Sequence, residues 1–116
     1  MVDLVRPTVP DRGHLIWITF DPQVGHEQAG RRPALVLSGA EYNGPAGLCV
    51  VCPITSQVKG YPFEVRLPAG LPVAGVILAD QVKNVDWQAR RAFYICDAPA
   101  EVMAEVQDQI AELLND

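Results

Sequence analysis

The run Gly47-Leu48-Cys49-Val50-Val51-Cys52-Pro53-Ile54 is apolar at every position. A continuous apolar run of this length, bounded by turn residues, reads as a strand covered on both faces. The expectation is therefore a central strand over 47–54, with the rest of the chain built around it. Shorter strand-like runs surround it. Residues 14–20 end at the turn pair Asp21-Pro22, and residues 32–37 form a second run. Phe63-Glu64-Val65-Arg66-Leu67 alternates as a half-exposed strand should, and residues 68–72 turn the chain. Residues 75–79 and 89–95 complete the set as a fifth and a sixth strand. Residues 38–44 read as one or two helical turns stopped by Asn43-Gly44. Many short strands joined by Gly and Pro turns predict a mostly β fold, a small barrel or a sandwich.

The C-terminal segment has a different period. Asp97 can cap a helix and Pro99 suits its first turn. Val102, Met103, Val106, Ile110, Leu113 and Leu114 recur at spacings of three and four, one apolar stripe on an amphipathic helix. Its polar face is acidic, which does not suit a membrane surface. No window approaches the roughly 18 apolar residues of a membrane span. The N-terminus shows no secretory pattern, so a cytoplasmic location is expected. With 116 residues the chain is expected to be a single domain, 1–116.

Three cysteines do not make a disulfide framework. Cys49 and Cys52 form a C-x-x-C, but residues three apart on a strand point to opposite faces. They read as buried structural thiols. No cluster of His, Cys and carboxylates has metal-ligand spacing, so neither metal nor cofactor is expected.

The net charge of −5 is unevenly spread. Residues 97–116 hold six acids and no Lys or Arg, leaving nine bases against eight acids in residues 1–96. Phosphate binding needs a local positive patch, not a positive sum. The densest candidate is Gly25-His26-Glu27-Gln28-Ala29-Gly30-Arg31-Arg32-Pro33, a charged loop between two apolar runs. Loops placed on a rigid scaffold carry function more often than packing. An acid, a histidine, an amide and two guanidinium groups suit anchoring a phosphate and moving a proton. The competing reading is a solvated hairpin loop.

These residues carry a resemblance. Glu27-Gln28-Ala29-Gly30, then Arg32-Pro33-Ala34 and an apolar strand ending in Ser38, resemble the signature loop of the MazF/PemK family of toxin endoribonucleases. Gly13-His14-Leu15-Ile16-Trp17 resembles the family's first strand, and Pro53-Ile54-Thr55-Ser56 its Pro-x-Thr segment. Lys59-Gly60-Tyr61-Pro62-Phe63-Glu64-Val65 and Leu78-Ala79-Asp80-Gln81-Val82-Lys83 resemble the segments that follow. The match runs through nearly the whole chain in order. It implies an SH3-like β-barrel with a short internal helix and a C-terminal helix, usually a homodimer. It also implies cleavage of single-stranded RNA at short sequences and neutralisation by an acidic antitoxin.

Metal-free RNA cleavage uses the substrate's own 2′-hydroxyl. It attacks the adjacent phosphorus and expels the 5′-oxygen, leaving a 2′,3′-cyclic phosphate. The reaction needs a base, an acid and support for the charge gathering on phosphate. Arg32 fits the last role, because a guanidinium stays charged and offers a fork to phosphate oxygens. Glu27 is the candidate base, or else it pairs with Arg31 or Arg32 to order the loop. Thr55 matches the family's threonine, where a hydroxyl bonds the phosphate, or else caps backbone at a strand end. His26 stands where the family commonly has serine, and leaves the acid and base assignments open between Glu27, His26 and Arg32. Gln28, Arg31, Lys59, Lys83 and Arg91 are expected to contact RNA alongside His26, while Asp80 and Gln81 support the barrel or contact bases. His14 reads as structural. A gyrase-poisoning toxin of the CcdB kind shares the barrel and is the alternative. It depends on an aromatic C-terminal end, whereas this chain ends Glu112-Leu113-Leu114-Asn115-Asp116.

Overall fold

The structure, a computed structural model, describes residues 8–20 and 30–115. Its elements in chain order are β1 (His14–Phe20), β2 (Gly30–Val36), α1 (Ala40–Ala46), β3 (Leu48–Thr55), β4 (Glu64–Arg66), β5 (Val76–Leu78), β6 (Lys83–Asp86), β7 (Phe93–Asp97) and α2 (Ala100–Asn115). The seven strands pair antiparallel in the order β4-β5-β3-β2-β1-β7, with β6 also paired to β3. The fold is mostly β with a short internal helix and a C-terminal helix. The hydrogen-bonded path is an open one, ending at β4 and β7, so closure is incomplete among the described residues.

β3 sits at the centre, and its pairings explain why it is apolar throughout. Cys52 lies opposite Leu35 of β2, Val50 opposite Asn84 of β6, and Ile54 opposite Ile77 of β5. Its two faces feed two cores. Cys52 and Ile54 pack with Leu15, Leu35, Val65 and Ile77, and α2 covers that side with Val102 and Val106. Cys49 and Val51 pack with Ile16, Ile18, Phe20, Val85 and Trp87. The two cysteines therefore face opposite ways and are fully buried. Burial pushes both thiols up to about 12, which keeps them protonated and inert at neutral pH.

Three expectations need correction. First, α1 does not stop at Asn43-Gly44 but runs to Ala46, where Gly47 takes the left-handed conformation at φ 69°. Asn43 is completely buried and is a structural hub. Its side-chain amide donates to the carbonyls of Pro10 and Ser38, its amide oxygen accepts from the Ser38 hydroxyl, and its carbonyl accepts from Trp87 Nε1. The helix start is capped from a distance, since Asp11 Oδ1 accepts the N–H of Ala40 at 2.8 Å. That bond and one from the Arg12 N–H hold the Asp11 carboxyl below its usual range.

Second, residues 89–92 are turns, and the last strand begins at Phe93. The Asp86 side chain accepts the N–H of Ala89, and the N–H of Ala92 bonds the carbonyl of Trp87. These bonds wind the chain before it can extend. A shift of register between Leu15 and Ile16 lets β7 pair with β1 only from there on. The strand over Lys83–Asp86 was not expected at all. Its single buried residue, Val85, leaves little apolar pattern to read. Third, the α2 stripe is buried only over its first half: Val102 and Val106 are covered, while Leu113 and Leu114 are exposed.

Candidate active site

Two adjacent arginines open β2, and alternation sends them opposite ways. Arg31 lies opposite Thr19 and donates to the Thr19 hydroxyl at 3.1 Å and to the Arg91 carbonyl at 2.9 Å. Arg32 lies opposite Ile18 and lines a groove of about 750 Å³. The groove's other walls come from the end of β3, the 56–61 loop and the β5–β6 turn. Thr55, Lys59 and Gln81 line it with Arg32. Sequence reasoning thus named four residues that converge on one cleft.

Arg31, Lys83 and Arg91 do not line this groove. The Lys83 ammonium sits 5.7 Å from the centroid of the Phe20 ring, a cation–π contact on the neighbouring face. Arg91 is held at φ 55° in the turn before β7, where its carbonyl serves Arg31. Arg31, Arg90 and Arg91 all gather around Thr19, since the Arg90 guanidinium donates to the Thr19 carbonyl at 3.3 Å. Glu27, His26 and Gln28 lie outside the described residues. His14 is a structural residue as expected. Its Nδ1 accepts the N–H of Asp11 at 3.1 Å, its Nε2 is 3.8 Å from Asp97, and its ring meets Tyr94 edge-on.

Thr55 is nearly buried at the point where β3 ends. Its hydroxyl accepts the N–H of Gln57 at 3.1 Å. That bond turns the chain away from the strand and fixes the hydroxyl, whose own proton then serves as a donor. Behind Thr55 stands Gly75, at φ +119°; a Cβ there would come within 2.1 Å of the Thr55 carbonyl oxygen. A strand end and a glycine turn are packed backbone against backbone.

Sequence reasoning missed Glu64 as a site residue. Its carboxylate accepts the N–H groups of Lys59 (3.2 and 3.3 Å to its two oxygens) and Gly60 (2.9 Å). A carboxylate bonded to successive backbone N–H groups fixes the loop that carries the Lys59 ammonium. The alternating pattern of the strand gave Glu64 as a solvent-facing residue, and nothing local marks it as a loop clamp. Tyr61 and Phe63 also line the groove, their ring centroids 5.4 Å apart. Asp80 shares the cleft; partial loss of water raises its carboxyl above the usual range, and the nearby Glu64 charge adds to this.

The arrangement pairs one half-buried guanidinium with a fixed hydroxyl and a lysine, all on one side of an open cleft lined by two aromatic rings. It suits a phosphodiester with attached bases better than a small metabolite. Among the described residues no group of three or more His, Cys, Asp or Glu is placed to hold a metal ion.

Comparison with known proteins agrees with this architecture. A family model described as PemK-like, MazF-like toxin of type II toxin–antitoxin systems matches residues 11–114. The endoribonuclease toxin MazF of Escherichia coli is 56% identical over 89 residues, covering 77% of this chain and 79% of that protein. The crystal structure of MazF from Deinococcus radiodurans superposes with a TM-score of 0.91 at 58% identity, covering 95% of this chain and 100% of that one. A crystal structure of MazE–MazF from the same organism gives a TM-score of 0.84 at 53% identity, covering 94% and 98%.

Proposed function

The chain belongs to the PemK-like, MazF-like toxin family, and from that premise we propose a concrete mechanism for it. It is an endoribonuclease toxin of a toxin–antitoxin system, and its substrate is single-stranded RNA held in the Arg32 groove. The observation that carries this reading is the meeting of Arg32 and Thr55 in one cleft beside Lys59. These groups are spaced along the sequence, and only the packing of β2 against β3 brings them together.

The 2′-oxygen of one ribose attacks the adjacent phosphorus. The P–O5′ bond breaks, giving a 2′,3′-cyclic phosphate and a 5′-hydroxyl. Glu27 takes the 2′ proton. The 5′-oxygen gains a proton from His26 or, through the bound phosphate, from the Arg32 guanidinium. Arg32 and the Thr55 hydroxyl support the charge on the non-bridging oxygens. Water is not the attacking group, so no metal-activated hydroxide is needed. Incubating the purified protein with an RNA pool in EDTA, then mapping the ends, tests this. Sequence-specific cuts with cyclic-phosphate and 5′-hydroxyl ends are expected. Intact RNA, or activity restored only by one divalent ion, would overturn it, and gyrase trapped on DNA without RNA cuts would favour the non-enzymatic alternative.

The working form is a homodimer. β7 is an edge strand of the sheet, and Trp17 of β1 lies opposite its Phe93. Phe93 is 67% exposed and Tyr94 44%. An apolar sheet edge invites a second copy. Phe93→Asp should shift light-scattering mass from about two protomers toward one while the monomer stays folded by circular dichroism. A variant that remains dimeric at micromolar concentration would place the interface elsewhere. An acidic, extended antitoxin segment then competes with RNA for the basic groove, with affinity falling as salt rises. Action on messenger RNA places the protein in the cytoplasm. Among the described residues no helix is long and apolar enough to cross a membrane.

A further inference from the structure

Two carboxylates stand in a groove built for a polyanion, and their circumstances differ. Glu64 is committed to the backbone N–H groups of Lys59 and Gly60. Asp80 is not. It is exposed at the tip of the β5–β6 connection, in a tight turn closed by the Gln81 N–H on the Leu78 carbonyl at 3.1 Å. A carboxylate repels phosphate, so beside a bound RNA it must face bases. Carboxylate oxygens only accept, and among base edges they pair with the amino groups of adenine, cytosine or guanine.

The neighbouring segment supplies what a base reader also needs. The N–H of Ala79 donates to the Phe63 carbonyl at 3.2 Å, locking the Asp80 turn beside the Tyr61–Phe63 ring pair. Tyr61 is half exposed, and an exposed ring is the usual seat for a base splayed from single-stranded RNA. A ring for the face of a base and an acceptor for its edge therefore sit on two strands held in register, Glu64 opposite Leu78.

We propose that Asp80 reads the exocyclic amino group of one nucleobase stacked near Tyr61, and thereby sets part of the sequence at which RNA is cut. The inference rests on the endoribonuclease reading of the same groove. Uracil is the base refused at that position, since it offers carbonyl oxygens where the others offer an amino group. The partial desolvation of Asp80 fits this, because a ligand donor compensates a charge the free protein holds poorly.

The test compares the wild type with Asp80→Asn on a randomised RNA pool, cut sites being read by 5′-end sequencing. The amide keeps the shape and adds a donor. Asp80→Asn should admit uracil at one position and cut the preferred sequence roughly 10- to 100-fold more slowly, the usual worth of one base-edge contact. Deamino analogues of the preferred sequence supply the second arm. They should slow the wild type at that one position and leave Asp80→Asn unaffected there. An unchanged cleavage profile, or a uniform loss of rate with the same preference at every position, would overturn the proposal. If Asp80→Asn fails to fold, the analogue series on the wild type decides: no deamino penalty at any position rejects base reading. A wild type that cuts no RNA would fail the underlying reading instead, and the two failures are told apart by that control.

Discussion

Arg32→Ala should slow RNA cleavage by about 10²-fold or more, the usual consequence of removing a donor that stabilises transition-state charge. Arg32 is the one arginine of the neighbouring pair that lines the groove, and its partner Arg31 is spent on Thr19 and the Arg91 carbonyl. Its loss therefore has no ready substitute from the next residue. Arg32 is half-buried near the start of β2, upstream of the buried Ala34, Leu35 and Val36 that anchor the strand. The fold should survive, with a thermal midpoint close to that of the wild type. Arg32→Lys should restore only part of the rate, because an ammonium lacks the planar fork. Arg31→Ala is the natural control: it should loosen the turn before β7 and leave the chemical step much less affected. Single-turnover rates at saturating protein separate chemistry from binding. A folded Arg32→Ala protein with near-normal rate would remove Arg32 from the mechanism.

The contrast between Arg31 and Arg32 also marks how far the sequence reaches. Strand alternation alone says that the two must part, but not which one meets Thr55. That choice depends on the β1–β2 and β2–β3 registers, Ile18 opposite Arg32 and Ala34 opposite Pro53. β3 was legible because an all-apolar run has one physical use, and Cys49 and Cys52 followed it to opposite faces. β6 was not, because one buried valine among Lys83, Asn84 and Asp86 makes no pattern. Lys83 consequently read as a loop cation, whereas it is a strand residue over the Phe20 ring. The Glu64 clamp was equally silent. Its partners are backbone N–H groups four and five residues upstream, and no side-chain pattern records a backbone partner. Thr55 and Arg32 were found through resemblance, while their proximity came only from the fold.

Gly75→Ala should be among the most damaging small substitutions in the chain. The residue lies just before β5, and its carbonyl accepts the N–H of Leu67 from the preceding strand segment. Its φ of +119° is open to glycine and strained for any L residue, which alone costs on the order of 1–3 kcal/mol. The added methyl also meets the Thr55 carbonyl oxygen at 2.1 Å and the Ser56 Cα at 3.1 Å. Both are backbone atoms with no rotamer to retreat to, so the turn must separate from the end of β3. The two penalties together predict a loss of about 3 kcal/mol or more, a large share of a small domain's stability. Gly70→Ala separates the two causes: Gly70 also has a positive φ, at +96°, but nothing lies within 4 Å of the added atom. It should show the conformational cost alone, and urea denaturation of both variants measures the difference. Because the displaced segment carries Thr55, the folded fraction of Gly75→Ala should also cleave more slowly per active molecule than Gly70→Ala. Equal stabilities for the two variants would mean that the turn yields freely, and that the Thr55 hydroxyl is held by its bond to Gln57 and not by the packing behind it.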